Sequence, residues 1–339
     1  MKRLLLLSFV LVLAFVVAAG IWVTRRVSAP YGAFSGETFV EIPPGESTVA
    51  IGRRLVAAGV IRDELTFRLA VRWHARGRSL KAGEYRFAEP AAPATVIDRL
   101  ARGDVYLVPL TFPEGLTAEE MSKLFEQAGL GSADAFVQAA RTPDAITGID
   151  PEADTLEGYL FPDTYHLPRT ITAGALVDRM VRRFKGVFDE DMQARARATG
   201  LTVRQIMSLA ALVEKETARG EERPIVAAVY HNRLRIGMPM QADPTVIFAL
   251  KRAGNWDGNL TRADLQFDSP YNTYRYPGLP PGPIASPGKA AIEAAISPAD
   301  VDYLYFVSRN DGSHVFARTL PEHNRNVQQW QVEYFRNRR

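Results

Sequence analysis

Cysteine is absent from the 339 residues, so the fold uses no disulfide and no thiolate metal site. The histidines, at positions 74, 166, 231, 314 and 323, lack a metal-binding spacing such as H-E-x-x-H. The chain also contains neither a P-loop nor a G-x-G-x-x-G motif, and nucleotide use therefore has no support. From these absences we predict that the protein needs no metal ion and no cofactor.

A strong excess of one charge is also missing. The 41 basic residues stand against 38 acidic ones, which gives a formal net charge of +3. Because the basic residues are scattered rather than clustered along one stripe, we predict no nucleic-acid binding. The hydrophobic content of 47% supports a sizeable core, and the length suggests two folded units or one large unit with an appendage.

Long apolar runs are missing as well, apart from one at the N-terminus. Residues 4–23 are uncharged, follow Lys2-Arg3 and are closed by Arg25-Arg26. About 20 apolar residues are enough to cross the bilayer core as a helix. Trp22 lies where an interfacial aromatic residue is expected. A cleavable signal peptide is the alternative, with Val27-Ser28-Ala29 as a weak cleavage site, but the length of the run favours an uncleaved anchor.

The flanking charges are balanced and do not decide the orientation of this anchor. The tail before it is too short to be a domain, so an N-terminus inside the cell would place the rest of the chain outside the cytoplasm. We predict a cytoplasmic tail at 1–3, a transmembrane anchor at 4–23, a linker at 24–37, a small domain at 38–103 and a larger domain at 104–339.

The predicted small domain reads as strand, helix, helix and strand, at about 39–42, 48–59, 64–75 and 83–87. This β-α-α-β order is similar to that of a LysM-like module, and the resemblance implies contact with a glycan. Many small α+β units share the order, so a structural spacer is an equally good interpretation.

The rest of the chain mixes helix and strand signals, which predicts an α+β fold with a mixed α/β catalytic domain. Capping boxes at Thr117–Glu120 and Thr202–Gln205 each begin a helix. The other predicted elements are a helix at 96–102 capped by Thr95, a strand at 105–110, a helix from Asp243 as N-cap through Leu250, a strand at 301–307 and a helix at 322–334.

Two glutamates end the apolar helix that begins near Thr202. Glu214 and Glu216 lie at its C-terminus, where the helix dipole disfavours an anion, and their apolar neighbours disfavour the charged form further. Both effects favour a carboxyl group that keeps its proton, which is what a general acid in glycoside cleavage requires. Alternatively, both carboxylates are solvated or paired with Lys215, Arg219 or Arg223. Helical phase turns the two glutamates to opposite flanks and does not choose between them.

Seven motifs occur in a fixed order around these glutamates. They are L-E-G-Y-L-F-P-D-T-Y at 156–165, V-E-K-E-T at 213–217, H-N-R-L at 231–234, Q-A-D-P-T-V at 241–246, Y-N-T-Y at 271–274, G-L-P-P-G-P-I at 278–284 and H-V-F at 314–316. In this combination the chain resembles the MltG (YceG-like) endolytic murein transglycosylases. The resemblance implies an extracytoplasmic catalytic domain on an inner-membrane anchor, with wall-synthesis enzymes of that membrane as partners.

The resemblance also implies a reaction and its acid. The first glutamate of V-E-K-E, Glu214, would protonate the oxygen that joins N-acetylmuramic acid to N-acetylglucosamine in a peptidoglycan strand. Its carboxylate would then take the proton of the muramic C6 hydroxyl, which attacks C1 and leaves a 1,6-anhydro end. Two alternatives stay open: a non-catalytic, membrane-anchored glycan-binding or scaffold protein, and a hydrolase in which Asp163 or Asp243 activates water.

The other motifs supply candidates for substrate binding. Gln241, Asn272 and Thr273 offer hydrogen bonds to sugar groups, and Tyr271 offers a ring that can stack on a sugar face. Glu157 either lines the cleft or caps a helix. Five prolines between positions 277 and 288 predict a rigid loop, which loses less entropy when it grips a glycan.

Overall fold

The computed structural model describes residues 2–75 and 77–336. Met1 and residues 337–339, which belong to the predicted tail and catalytic domain, lie outside the described residues. The chain forms two compact units. The smaller is built from the described residues up to Val108 together with His166–Arg169, and the larger from Pro109–Tyr165 and the described residues from Thr170 onward. The smaller unit therefore extends slightly past the predicted boundary at 103.

The described residues contain both helices and strands, and the predicted α+β class is confirmed at this level. The α-helices are α1 (Lys2–Ser28), α2 (Thr48–Ala57), α3 (Glu64–Ala70), α4 (Pro93–Arg102), α5 (Ala118–Gln127), α6 (Ala133–Ala140), α7 (Ala173–Val187), α8 (Glu190–Ala198), α9 (Val203–Glu216), α10 (Arg223–Arg235), α11 (Asp243–Arg252), α12 (Lys289–Ile296), α13 (Leu320–Val327) and α14 (Tyr334–Arg336). The strands are β1 (Thr38–Ile42), β2 (Gly83–Phe87), β3 (Val108–Thr111), β4 (Thr164–Leu167), β5 (Tyr305–Ser308) and β6 (His314–Ala317). Short 3-10 turns cover Pro143–Ala145, Gly220–Glu222 and Asp264–Gln266, and π-helical segments cover Val71–Ala75 and Gln328–Glu333.

The N-terminal helix contains one stretch, Leu6–Ser28, that is long and apolar enough to cross a membrane. Its last turn is part of the smaller unit. Val27 is buried there, and Arg26 donates to the Thr66 hydroxyl at 2.7 Å and forms an ion pair with Asp63. The predicted linker at 24–37 therefore starts as helix, because Val27 continues the apolar pattern onto the core of this unit.

The remainder of that predicted linker is fixed by backbone contacts. Tyr31 and Ala91 exchange backbone hydrogen bonds at 3.0 and 3.2 Å. The Ala33 N–H donates to the Gly59 carbonyl at 2.8 Å. These residues belong to the smaller unit rather than to a free juxtamembrane tether.

The smaller unit has the predicted order β1, α2, α3, β2. The two strands are antiparallel, with Thr38 opposite Phe87 and Ile42 opposite Gly83. The predicted start of the next helix at a Thr95 cap is wrong. Helix α4 begins three residues earlier, at Pro93 instead of position 96, because the fixed φ of proline suits the first helical turn. It ends at Gly103, whose φ of 79° is left-handed.

The larger unit is mainly helical and contains the two-stranded sheet formed by β5 with β6. Helix α9 lies at its centre, and every residue from 206 to 213 is buried. This helix packs on α12 and α10. Helix α9 is buried on two sides, and this explains why its sequence is almost continuously apolar. The helix ends where the sequence becomes polar again. The strand predicted at 301–307 is shorter and begins at Tyr305.

Three predicted helix starts can be compared with the structure. The capping boxes of Thr117 with Glu120 and of Thr202 with Gln205 are both present, as predicted. Asp243 was predicted to be the N-cap of α11 and is not. The cap position is Ala242, without a side-chain cap, and the Asp243 carboxylate accepts a hydrogen bond from the Tyr274 hydroxyl at 2.6 Å. Tyr274 draws this carboxylate away from the helix end.

Candidate active site

Glu214 lies in the last turn of α9, close to the start of the next helix. The chain leaves the helical conformation at Thr217, which has a φ of −117°, and α10 begins at Arg223. Pro224 follows in the first turn of α10, where its missing N–H leaves no helical hydrogen bond unmade. The short connection brings the Arg223 guanidinium back to the Glu214 carboxylate.

The Glu214 carboxylate is held between two donors. Its Oε1 accepts a hydrogen bond from Nη2 of Arg223 at 3.1 Å, and its Oε2 accepts one from the backbone N–H of Gly288 at 3.0 Å. Only 7% of the side chain is exposed. Of the two sequence interpretations, pairing with a nearby arginine therefore holds for Glu214.

Glu216 points to the opposite flank of the helix, as the helical phase predicts. Burial and the nearby Asp243 carboxylate raise the pKa of Glu216 to about 7, and Arg233 opposes this rise. Arg233 uses its donors on backbone carbonyls, those of Pro239, Met240 and Leu304. Pairing of Glu216 with an arginine is not seen among the described residues.

A second carboxylate, which the sequence analysis missed, lies beside Glu214. Oε2 of Glu114 is 3.6 Å from Nη2 of Arg223, so one guanidinium serves two carboxylates. Glu114 is about half exposed, and its pKa is raised by burial and by the charge of Glu214 and lowered by Arg223. No pattern in the residues around Glu114 indicates this contact.

Gly288 has no room for a side chain at this site. A Cβ atom on Gly288 would lie 1.8 Å from Oε1 of Glu114, well inside the closest real contacts. The backbone of Gly288 can therefore approach both carboxylates, touching Glu114 and donating its N–H to Glu214. This glycine closes the predicted proline-rich loop and brings its end to the site.

The same loop is tied to the segment that carries Glu114. The Gly115 N–H donates to the Ser286 carbonyl, and the Ser286 N–H donates to the Leu116 carbonyl, both at 2.8 Å. Lys215 adds a third tie, because its ammonium group donates to the Gly115 carbonyl at 3.1 Å. Three separate stretches of sequence thus fix the positions of the two carboxylates.

The predicted binding residues Gln241, Asn272 and Thr273 come together on the side of Glu216. The Gln241 side chain is exposed and its backbone has a left-handed φ of 49°, an unusual conformation that concentrates at functional sites. Asn272 and Thr273 are buried. The Asn272 amide donates to the carbonyls of Leu265 and Phe267, and the Thr273 hydroxyl accepts from the Ala242 N–H. These two side chains therefore organise the backbone under Gln241.

Glu157 and Tyr271 lie in a different part of the larger unit from the Gln241 side chain. The Glu157 carboxylate accepts hydrogen bonds from the Ala118 N–H at 3.1 and 3.3 Å, at the first position of α5, and it also lines a cavity. The helix-capping interpretation of this residue therefore holds, and its place in the substrate cleft stays a prediction. Burial raises its pKa to about 7. Tyr271 packs its ring 4.9 Å from that of Phe248 and receives Arg252 at its hydroxyl, 3.4 Å away.

Comparison with known proteins assigns the chain to a family. The model of the YceG-like family matches residues 40–329. The endolytic murein transglycosylase of Bacillus subtilis is 32% identical over 302 residues, which cover 84% of this chain and 82% of that protein. Proteins of the same name from two Streptococcus pneumoniae strains are 31% identical over 85% of this chain but only 57% of their own length.

A solved structure supports the same assignment. The crystal structure of a yceG-like protein from Listeria monocytogenes superposes with a TM-score of 0.59 at 30% identity, covering 86% of this chain and 98% of that one. The chain belongs to the YceG-like family. The family that the ordered motifs predicted is therefore confirmed.

Proposed function

We propose that this protein is an endolytic peptidoglycan lytic transglycosylase, a lyase that acts on the glycan strands of the cell wall. Membership of the family and the names of its curated relatives support this function. The observation that carries the chemistry is the enclosed Glu214 carboxylate, which shares Arg223 with Glu114. Two carboxylates on one cation leave one negative charge uncompensated, and a single proton neutralises the cluster.

That proton is the one the reaction needs. Burial and the charge of Glu214 raise the pKa of Glu114 in this cluster. In the reaction Glu214 donates a proton to the oxygen between N-acetylmuramic acid and N-acetylglucosamine as the bond from C1 breaks. The Glu214 carboxylate then accepts the proton of the muramic C6 hydroxyl while O6 bonds to C1. The product carries a 1,6-anhydro end, and no water is consumed.

The other side chains have supporting roles in this proposal. Arg223 and the Gly288 N–H hold the Glu214 carboxylate in one orientation through both proton transfers. Gln241 and Tyr271 offer an exposed amide and a half-buried ring for sugar contacts. Asn272 and Thr273 hold the backbone that presents Gln241, and Glu157 shapes the cavity beside the site.

For the placement of the protein, we propose a single-pass inner-membrane anchor with the N-terminus in the cytoplasm and both units outside it. The apolar stretch Leu6–Ser28 supports the membrane anchor. The order of β1, α2, α3 and β2 supports a LysM-like role for the smaller unit in glycan contact. Enzymes that synthesise new strands in the same membrane are the proposed partners.

A hydrolase is the second candidate, because Glu114 could activate water as the second carboxylate. The residues first considered for that role serve elsewhere: Asp163 pairs with Arg183, and Asp243 bonds Tyr274. Mass spectrometry of strands digested by the full-length protein in detergent separates the candidates. New 1,6-anhydro ends at internal positions support the transglycosylase, new reducing ends establish the hydrolase, and binding without cleavage favours a scaffold protein.

A further inference from the structure

A cavity of about 730 Å³ opens in the larger unit, separate from the residues that touch Glu214. Its wall is formed by the start of α5, the end of α6, the segment from Asp154 to Glu157 and the end of α11. Ligand-binding cavities typically measure roughly 300–1,000 Å³ and combine apolar surface with a few polar groups. Here Phe248 and Trp256 supply aromatic surface. The cavity is therefore large enough for several residues of a peptide.

This cavity begins close to the proposed acid. A Cβ atom on Gly115 would lie 3.6 Å from Cγ of Glu214, so the two residues are in contact distance. Thr117, two positions further along the chain, lines the cavity. Because consecutive Cα atoms are about 3.8 Å apart, Thr117 lies within roughly 8 Å of Gly115. The cavity wall therefore approaches Glu214 to within about two residues of the chain.

The cations on the cavity wall fall into two kinds. Lys123 and Lys251 are neutralised by Glu119 and Glu120, at 3.2 and 2.7 Å. Arg141 and Arg252, by contrast, form no ion pair with any residue in the part of the chain that the structure describes. Both arginines are exposed, and the Arg252 guanidinium lies 5.5 Å from the Tyr271 ring centroid. Asp154 and Glu157 are further carboxylates on this wall. Arg252 donates to the Tyr271 hydroxyl, and its charge opposes the rise that burial causes in the pKa of Glu157. Arg141 and the remaining donors of Arg252 are thus available to an anionic ligand.

We infer that this cavity binds the peptide stem of the glycan strand and that Arg141 and Arg252 recognise its carboxylates. The inference rests on the proposed function. It concerns the peptide part of the substrate, which the residues that act on the sugars do not bind. The stem is attached through the lactyl ether at C3 of the muramic ring, the ring whose C1 reacts at Glu214. It must therefore leave the cleaved sugar within a short distance of Glu214. Guanidinium groups suit such carboxylates because they form paired, charge-assisted hydrogen bonds.

The test is a calorimetric titration of the full-length protein in detergent with a soluble N-acetylmuramyl peptide whose carboxylates are free. The same fragment with its carboxylates converted to amides is the second ligand. We expect the free-acid fragment to bind at least tenfold more tightly than the amide. In the Arg141→Ala/Arg252→Ala double variant that preference disappears. The matched control is Lys123→Ala, which removes a cation from the same wall that Glu119 already neutralises and keeps the native preference.

Three results would overturn the inference: equal binding of both fragments, no binding of either, or an equal loss in the Lys123→Ala control. The last would indicate a general electrostatic effect rather than recognition by two arginines. Product analysis on intact strands keeps the two claims apart. If the protein cuts strands to anhydro ends but does not bind the fragment, the proposed function is supported and this subsite is not. If it binds the fragment but cuts no strands, the subsite is supported and the proposed function is not.

Discussion

Glu214 and Arg223 form a hydrogen-bonded ion pair at 3.1 Å across the short connection between α9 and α10, with both side chains less than a fifth exposed. A pair of this kind would normally hold a carboxylate permanently ionised. Here the same guanidinium also faces Glu114 at 3.6 Å, so its charge is divided between two acids. The arrangement suits a group that must alternate between acid and base.

Removal of the Glu114 charge tests that division. In Glu114→Gln the cluster holds one carboxylate and one guanidinium, so no excess negative charge remains in it to retain a proton. We expect the alkaline limb of the pH–rate profile to move to lower pH. The other charged groups of this connection are Lys215, Glu216, Arg219, Glu221 and Glu222. Of these, Lys215, Arg219 and Glu222 bond Gly115, Asp311 and His314 respectively. They are unchanged in the variant.

The profile of strand cleavage, measured from pH 4 to 9 for both proteins, decides this point. Glu190→Gln, which removes an exposed charge at the start of α8, is the control and should keep the native profile. An unchanged alkaline limb in Glu114→Gln would contradict a shared guanidinium. A uniform fall in rate with no shift in pH would point to a structural role for Glu114.

The close approach of Gly288 gives a second prediction. Its φ of −75° is open to any residue, so alanine adds only the clash with the Glu114 carboxylate. Gly288→Ala should displace the Glu114 carboxylate, which is the far end of a half-exposed side chain, and lower the rate of cleavage by up to about tenfold, or 1.4 kcal/mol in the barrier. Gly174→Ala in α7, where a Cβ atom meets nothing within 4 Å, is the control. Native activity in Gly288→Ala would contradict the assigned contact.

The N-terminal helix supplies a prediction about stability. Val27 is 1% exposed in the smaller unit, and Arg26 bonds Asp63 and Thr66. A soluble form that begins at Gly20 keeps these contacts, whereas one that begins at Pro30 loses them. Burial of a valine contributes roughly 1.5–3 kcal/mol, so the shorter form should unfold at lower urea concentration. Equal urea midpoints for the two forms would show that this turn contributes nothing to the unit.

Much of the fold could be predicted from local signals. The capping boxes at Thr117 and Thr202 are side-chain patterns within four residues, and both begin helices as predicted. The starts at Thr95 and Asp243 were predicted by the same rule and failed. In one case Pro93 begins the helix earlier, and in the other Tyr274, 31 residues away in the sequence, takes the carboxylate. A cap is predictable only when no distant partner competes for its side chain.

The candidate site shows the same limit. Glu214 could be singled out because its surroundings, an apolar helix and its C-terminus, are contiguous in the sequence. Glu114 could not, because its partners Arg223 and Gly288 are more than 100 residues away and meet it only in the folded chain. Asn272 was predicted as a sugar ligand from its polar side chain, but sequence alone does not reveal that nearby carbonyls occupy that amide.

Glu157 provides a pH-dependent prediction. Its pKa is about 7 in the folded chain and near 4.5 in the unfolded one, so the unfolded chain ionises first as the pH rises. The stability contributed by the neutral form is therefore present below about pH 4.5 and lost between pH 4.5 and 7. Glu157→Gln keeps an acceptor for the Ala118 N–H and has no charge to bury.

We expect Glu157→Gln to gain about 3 kcal/mol in the free energy of unfolding relative to the native chain between pH 4.5 and pH 8. Urea unfolding of both proteins at the two pH values measures this difference directly. A difference in unfolding free energy that is the same at both pH values would show that Glu157 is not buried as an acid.

The identity of the acid is the central claim, and one measurement addresses it most directly. Mass spectrometry would count 1,6-anhydromuramyl ends formed from intact strands by the full-length native protein, Glu214→Gln and Glu216→Gln. Both substitutions are isosteric and lie two residues apart on one helix. The account predicts that anhydro ends are lost in Glu214→Gln and kept in Glu216→Gln. Anhydro ends formed at the native rate by Glu214→Gln would contradict the account. Loss of these ends in Glu216→Gln alone would identify Glu216, on the opposite flank of α9, as the acid.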